Sequence, residues 1–276
     1  MTTPIRLTRR ELFRTSAGAL LAAGVWPGAL AARDADAEPF HFVAVNDLHY
    51  KNDQCDPWFQ KVAASIRGLT EKPEFLLVVG DLVENGTAAQ FGKINDVLKT
   101  LDRPYHAVIG NHDYAAKTDR KAYDEACPKQ TNYRFEHKGW QFVGLDTSDA
   151  ADGKKYQGVT ARKQTFTWLD ETLPKLDKNK PTVLFTHFPL GDKVNMRLSN
   201  ADLLLDRFKP LNLRAVFNGH YHALTEKTIR GDVLVTTNRC CAHSVNNHDN
   251  SKEKGYFICS AKEGKITRRF VEVKPA

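Results

Sequence analysis

Three short blocks set carboxylates, imidazoles and an amide directly behind apolar runs: Asn46-Asp47-Leu48-His49 after FHFVAV, Gly80-Asp81 after FLLVV, and Gly110-Asn111-His112-Asp113 after YHAVI. Two more follow downstream, His187 in THFPL and Gly219-His220-Tyr221-His222 after LRAVF. Carboxylate oxygen, imidazole nitrogen and a neutral amide oxygen together suit borderline-hard ions such as Mn, Fe, Co or Zn, and the lack of thiolates among them argues against a structural zinc site. Asp47, His49, Asp81, Asn111, His187, His220 and His222 are too many ligands for one ion of about four to six contacts. Two ions sharing a carboxylate, about 3.5–4 Å apart and able to hold one bridging hydroxide, accommodate them better. Alternate residues of an extended segment point to one side, so Asp47 with His49, and His220 with His222, can each reach a common cluster.

For those blocks to meet, the apolar runs must be strands whose carboxyl ends share a rim. Strands are predicted over 40–45, 75–79, 105–109, 182–186 and 213–217, with a hairpin formed by 131–136 and 140–145. Amphipathic helices are predicted over 57–69, with Asp56 as N-cap before Pro57, and over 87–101, 162–176 and 201–208. From residue 222 the chain reads as short strands over 223–229, 232–237, 255–260 and 265–273. Alternating strands and helices that give way to a β-rich end imply an α/β core with mixed sheets covered by helices. In such sheets ligand groups collect beyond the carboxyl ends of the strands. His41 and His106 fall inside strands and His137 in a hairpin turn, which reads as structural. His243 and His248, in CCAHSVNNHDN, occupy a loop beyond the last motif and are candidates for substrate contact.

The ordered set D-x-H (Asp47, His49), G-D (Asp81), G-N-H-D (110–113), H (His187) and G-H-x-H (219–222) resembles the calcineurin-like metallophosphoesterase superfamily, and within it bacterial phosphodiesterases of the cyclic-nucleotide and glycerophosphodiester type. The resemblance implies a four-layer α/β/β/α sandwich of two mixed β-sheets flanked by helices. It also implies hydrolysis of phosphoric esters by a hydroxide bridging two divalent or mixed-valence ions. One ion would be held by Asp47, His49, Asp81 and His222, the other by Asp81, Asn111, His187 and His220, with Asp81 shared. His112 would stand near the leaving-group oxygen as acid or charge stabiliser, and Asp113 would orient it. GDLVENG lacks the tyrosine that purple acid phosphatases place after this aspartate, so a tyrosinate-iron site is not expected. Other readings are a phosphomonoesterase of the same fold and a non-catalytic metal-dependent binding protein, which need not keep His112. A single-iron oxygenase would leave most of the ligands unexplained.

The 276 residues, 41% of them hydrophobic, suffice for a substantial core. Lys plus Arg number 40 against 33 Asp plus Glu, an excess that fits a small anionic phosphoester but is spread over too many segments to mark a nucleic-acid groove. No apolar run of about 18 residues occurs past the N-terminus, so no membrane span is expected. Residues 1–37 resemble a twin-arginine signal peptide: Arg9 and Arg10 precede apolar Leu12 and Phe13, and an Ala- and Gly-rich stretch covers 16–31. The resemblance implies the twin-arginine translocase as a partner and export to the periplasm or beyond. Cleavage after Ala37, in the A-x-A formed with Ala35, leaves a phosphoesterase domain over 38–276; a cut after Ala31 is second. Of five cysteines, Cys55, Cys127 and Cys259 stand alone and Cys240 adjoins Cys241, so at least one has no partner within the chain. Cys55 and Cys127, each in a segment behind a motif, form a candidate disulfide. G-x-S-x-G, H-E-x-x-H and G-x-G-x-x-G are all missing, and GTAAQFGK lacks the Ser or Thr that a P-loop needs after Lys93.

Overall fold

Strands β1 (Phe40–Val45), β2 (Phe75–Val79) and β3 (Tyr105–Val108) lie parallel and adjacent, which aligns the first three motifs along one edge. In the computed structural model, which describes residues 38–116, 118–148 and 156–274, the tail returns to β1 through β10 (Gly255–Lys262), antiparallel to it, with β11 (Lys265–Glu272) at the edge. The second sheet runs β4 (Tyr133–His137), β5 (Trp140–Leu145), β6 (Pro181–Thr186), β7 (Asn212–Asn218), β9 (Val233–Thr237) and β8 (Thr225–Ile229), with β5, β6, β7 and β9 parallel.

Side chains alternate along each central strand. Val43 and Val45 of β1 join a core with helices α1 (Asp56–Arg67), α2 (Ala88–Lys99) and α3 (Lys121–Ala126), whereas Phe42 and Ala44 enter the layer shared by the two sheets. In β6, Leu184 packs with α4 (Lys163–Thr172) and α5 (Ala201–Arg207), while Val183 and Phe185 face the other sheet. Both faces of these strands are buried, which is why they read as unbroken apolar runs. The shared layer is aromatic: Phe42 stacks on Phe75 with centroids 5.2 Å apart, and Phe142 meets Phe75 edge-on at 84°. Such pairs add about 0.5–1.5 kcal/mol each beyond their burial. The architecture is the α/β/β/α sandwich that the resemblance implied.

Several local expectations need correction. Asp56 is the first residue of α1 rather than its N-cap, because a 3-10 turn over Asp53–Cys55, capped by Asn52, leads straight into the helix. Its carboxylate instead accepts the Tyr50 hydroxyl at 2.6 Å. The helix predicted over 162–176 ends as α-helix at Thr172 and continues as a 3-10 turn around Pro174, which has no N–H to donate. Helix α3 was not expected; its six residues are too few to show a period. His137 is the last residue of β4, paired with Trp140 and bonded to Glu74 at 2.8 Å. The Cys55–Cys127 bridge is not formed. All five cysteines are free and buried, with Cys55 and Cys127 both in the helix-covered core. The signal-peptide reading and the boundary at residue 37 lie outside the described residues. Among the described residues no helix is long and apolar enough to cross a membrane.

Candidate active site

The chain keeps pairing after β1 and β2 end. The amides of Asp47, His49 and Tyr50 donate to the carbonyls of Gly80, Asp81 and Leu82 at 3.0, 2.9 and 3.1 Å, which sets the D-x-H block beside the G-D block. Asp47, His49, Asp81, His220 and His222 all adopt left-handed backbone, with φ of 53, 47, 50, 65 and 46°. Each such residue costs about 1 kcal/mol or more, and this strain is gathered at one rim. The D-x-H and H-x-H pairs therefore converge because both members turn back, not through the alternation of an extended segment. Two glycines make room for neighbouring ligands. A Cβ on Gly110 would lie 2.0 Å from Asp81 Oδ1, and one on Gly80 would lie 2.3 Å from His187 Nδ1.

All seven predicted ligands come together. The ligating atoms of Asp47, His49, Asp81 and His222 lie within 4.8 Å of one another, as do those of Asp81, His187 and His220, so Asp81 belongs to both groups. Asn111 joins the second through Oδ1, 3.1 Å from His187 Nε2. Every one of these residues is buried.

The donor set fits cations. His187 Nδ1 donates to the Val79 carbonyl at 3.1 Å and His222 Nδ1 to the Asn246 carbonyl at 3.3 Å, while His49 Nδ1 meets Glu84 Oε2 at 2.9 Å. Acceptor partners on Nδ1 leave each Nε2 as a lone pair. Those lone pairs face further acceptors: His49 Nε2 lies 3.2 Å from His222 Nε2, and His222 Nε2 lies 3.0 Å from Asp47 Oδ1. Acceptors facing acceptors require a proton or a metal between them. The buried Asn111 Nδ2 has no hydrogen-bond partner, as expected of an amide oriented by its oxygen. Electrostatics agree. Burial raises the Asp47 carboxyl, but His222 more than reverses this and brings it to about 2; burial lowers His187, yet Asp81 and Asp47 lift it to about 9. Burial likewise raises Asp81, but His187 and His112 more than reverse this and hold it low, so Asp47 and Asp81 are the two carboxylates that demand positive charge.

His112 stands at the cavity side of the cluster. Its Nδ1 donates to the Glu84 carbonyl at 3.1 Å and its Nε2 lies 3.2 Å from the Tyr156 hydroxyl. Asp113 does not hold this ring: its carboxylate accepts from the amides of Val83 at 3.0 Å and Gly110 at 2.8 Å, and so braces the two ligand-bearing loops. Two neighbours escaped the sequence reading. Glu84, in GDLVENG, touches both His49 and His112, and Tyr156 bridges His112 with its hydroxyl and His220 Nε2 with its carbonyl at 2.9 Å. A cavity of about 200 Å³ opens over the cluster, bordered by Tyr156, Met196 and His248. His248 thus lies where a rim loop was expected to contribute, whereas His243 is exposed and does not line this cavity.

A two-sheet α/β sandwich with two carboxylate-linked ligand groups at its strand ends defines a dinuclear-metal protein. The chain belongs to the calcineurin-like phosphoesterase family, whose profile matches residues 40–224. It is 28% identical over 192 residues to the probable glycerophosphodiester phosphodiesterase GpdQ of Arcobacter nitrofigilis, covering 65% of this chain and 67% of that protein. It is 26% identical over 246 residues to the serine/threonine-protein phosphatase CPPED1 of Rattus norvegicus, covering 76% and 78%. In fold it resembles a dimetal phosphatase from Danio rerio, with a TM-score of 0.64 and 15% identity over 86% of this chain and 98% of the other.

Proposed function

We propose that this chain hydrolyses phosphoric esters with two bound metal ions, and that phosphodiesters are its substrates. The observation that carries the reading is Asp81, shared by two buried ligand groups that open on one cavity beside His112. Asp47, His49 and His222 would hold one ion with Asp81, and Asn111, His187 and His220 the other. Ions held there would supply a nucleophile at neutral pH and would draw charge from the phosphoryl oxygens. His112, held through Nδ1 by the Glu84 carbonyl, directs Nε2 at the cavity and as an imidazolium can pass that proton to the departing oxygen. The name of the Arcobacter relative favours diesters; that of the rat relative makes a phosphomonoesterase the second reading.

The test is a panel of alkyl and nitrophenyl mono- and diesters, assayed on metal-free protein reloaded with Mn, Fe, Co or Zn. Turnover of diesters above monoesters is expected with at least one metal. His112→Ala should slow alkyl esters by about a hundredfold to ten-thousandfold and nitrophenyl esters much less, since nitrophenolate leaves without a proton. Two ions bound with no turnover of any ester would leave a metal-dependent binding protein instead. We place the mature chain, residues 38–276, outside the cytoplasm on the strength of Arg9 and Arg10. Changing both to Lys should trap unprocessed precursor inside the cell, and normal export of that variant overturns the assignment.

A further inference from the structure

Tyr156 is 47% exposed, and among the described residues only Leu203 is a large hydrophobic side chain as open to solvent. The ring is nevertheless held over the candidate metal cluster. It lies nearly parallel to His220, with planes 20° apart and centroids at 6.2 Å, and tilts against His112 at 5.7 Å. His220 Nε2 donates to the Tyr156 carbonyl at 2.9 Å, which leaves Nδ1 as the lone pair of that imidazole. The Tyr156 hydroxyl lies 3.2 Å from His112 Nε2, and both residues line the cavity of about 200 Å³ together with Asp81.

As a strut for His112 this hydroxyl would be redundant. The His112 ring is already fixed through Nδ1, which donates to the Glu84 carbonyl at 3.1 Å, and by edge-on packing with His49 at 4.7 Å and 74°. A phenol keeps its proton at neutral pH and so offers a donor. While His112 is neutral, its Nε2 lone pair accepts that donor. Once His112 is an imidazolium the phenol O–H is released, and two donor groups stand side by side at the cavity. We propose that Tyr156 is a second catalytic donor, whose hydroxyl hydrogen-bonds the same departing ester oxygen that His112 protonates. This inference rests on the phosphoesterase reading above. As the P–O bond breaks, the departing oxygen takes the bonding pair and then the proton from His112 Nε2. Tyr156 keeps its own proton and stabilises the developing charge through a hydrogen bond that is strongest in the transition state.

The experiment uses Tyr156→Phe in the full chain, which keeps the ring and the carbonyl that meets His220 and deletes only the hydroxyl. With the metal that supports wild-type turnover, kcat for alkyl phosphodiesters should fall about tenfold to a hundredfold, while KM and the turnover of nitrophenyl esters change little. Titration of the metal-free variant with Co(II) should give the wild-type affinity and number of ions. Equal loss for alkyl and nitrophenyl esters, or no loss for either, overturns the role at the departing oxygen. Weakened cobalt binding would mean that Tyr156 acts through His220, and overturns it as well. A wild type that hydrolyses no ester overturns the phosphoesterase reading itself.

Discussion

At the scale of single residues, the candidate site contains groups that hold the imidazoles as well as the predicted ligands. Glu84 is the plainest case, with one oxygen 2.9 Å from His49 Nδ1 and the side chain 23% exposed. Glu84→Gln keeps the shape and a possible acceptor but removes the charge. Metal affinity at the Asp47–His49 position is expected to fall about tenfold, the size of loss typical when a group behind a ligand is removed. Stability should change by no more than about 1 kcal/mol, because a partly exposed pair contributes little. Chelator competition measures the first and urea unfolding the second. Equal metal affinity in the two proteins would mean that backbone pairing alone orients His49.

At the scale of elements, the strand-to-loop junctions carry the strain and the helices do not, which separates two glycines. Gly110, behind β3, faces Asp81 Oδ1 at a distance no Cβ could share, whereas Gly92 is exposed within α2 with open space around it. Gly92→Ala is expected to stabilise the fold by about 0.5–1 kcal/mol, the helix-propensity difference. Gly110→Ala should displace Asp81 and cost binding at both metal positions, since Asp81 belongs to both groups. Unfolding curves and metal counting on the two variants check this contrast. Two tightly held ions in Gly110→Ala would show that Asp81 is not the shared ligand.

At the scale of the molecule, the two sheets are clamped by aromatic contacts, and one clamp is sensitive to acid. His106 of β3 stacks on Phe135 of β4, with centroids 3.6 Å apart and planes 10° from parallel. Burial, with a smaller push from His137, lowers its pKa from 6.5 to about 4. The folded protein therefore binds fewer protons at this ring than the unfolded chain does between those values. Its stability is fully present above about pH 6.5 and is lost as pH falls toward 4. His106→Phe, which keeps a ring to stack, should flatten that loss by about 1–2 kcal/mol after solvent screening is allowed for. Urea unfolding of both proteins from pH 7 to 4.5 tests it, and parallel pH profiles would count against the assignment.

Much of the site was readable before folding because its signals are local. Apolar runs bury both faces of central strands, and residue chemistry behind each run marks a candidate ligand, so Asp47, His49, Asp81, Asn111, His187, His220 and His222, which the fold brings together, stand out without coordinates. The mixed α/β arrangement follows from the same alternation of strands and helices. What tertiary structure alone decided is everything that depends on approach between distant segments. Glu84 meets His49 across 35 residues, Tyr156 meets His220 across 64, and no spacing rule connects either pair. Asp113 looked like the partner of His112, its neighbour in sequence, yet backbone amides from two loops claim its carboxylate. The free state of Cys55 and Cys127 and the left-handed turns at Asp47 and His222 have the same origin. A residue type states which bonds a side chain can make, but which of them it makes is set by the few backbone paths that bury the core without leaving polar groups unpaired.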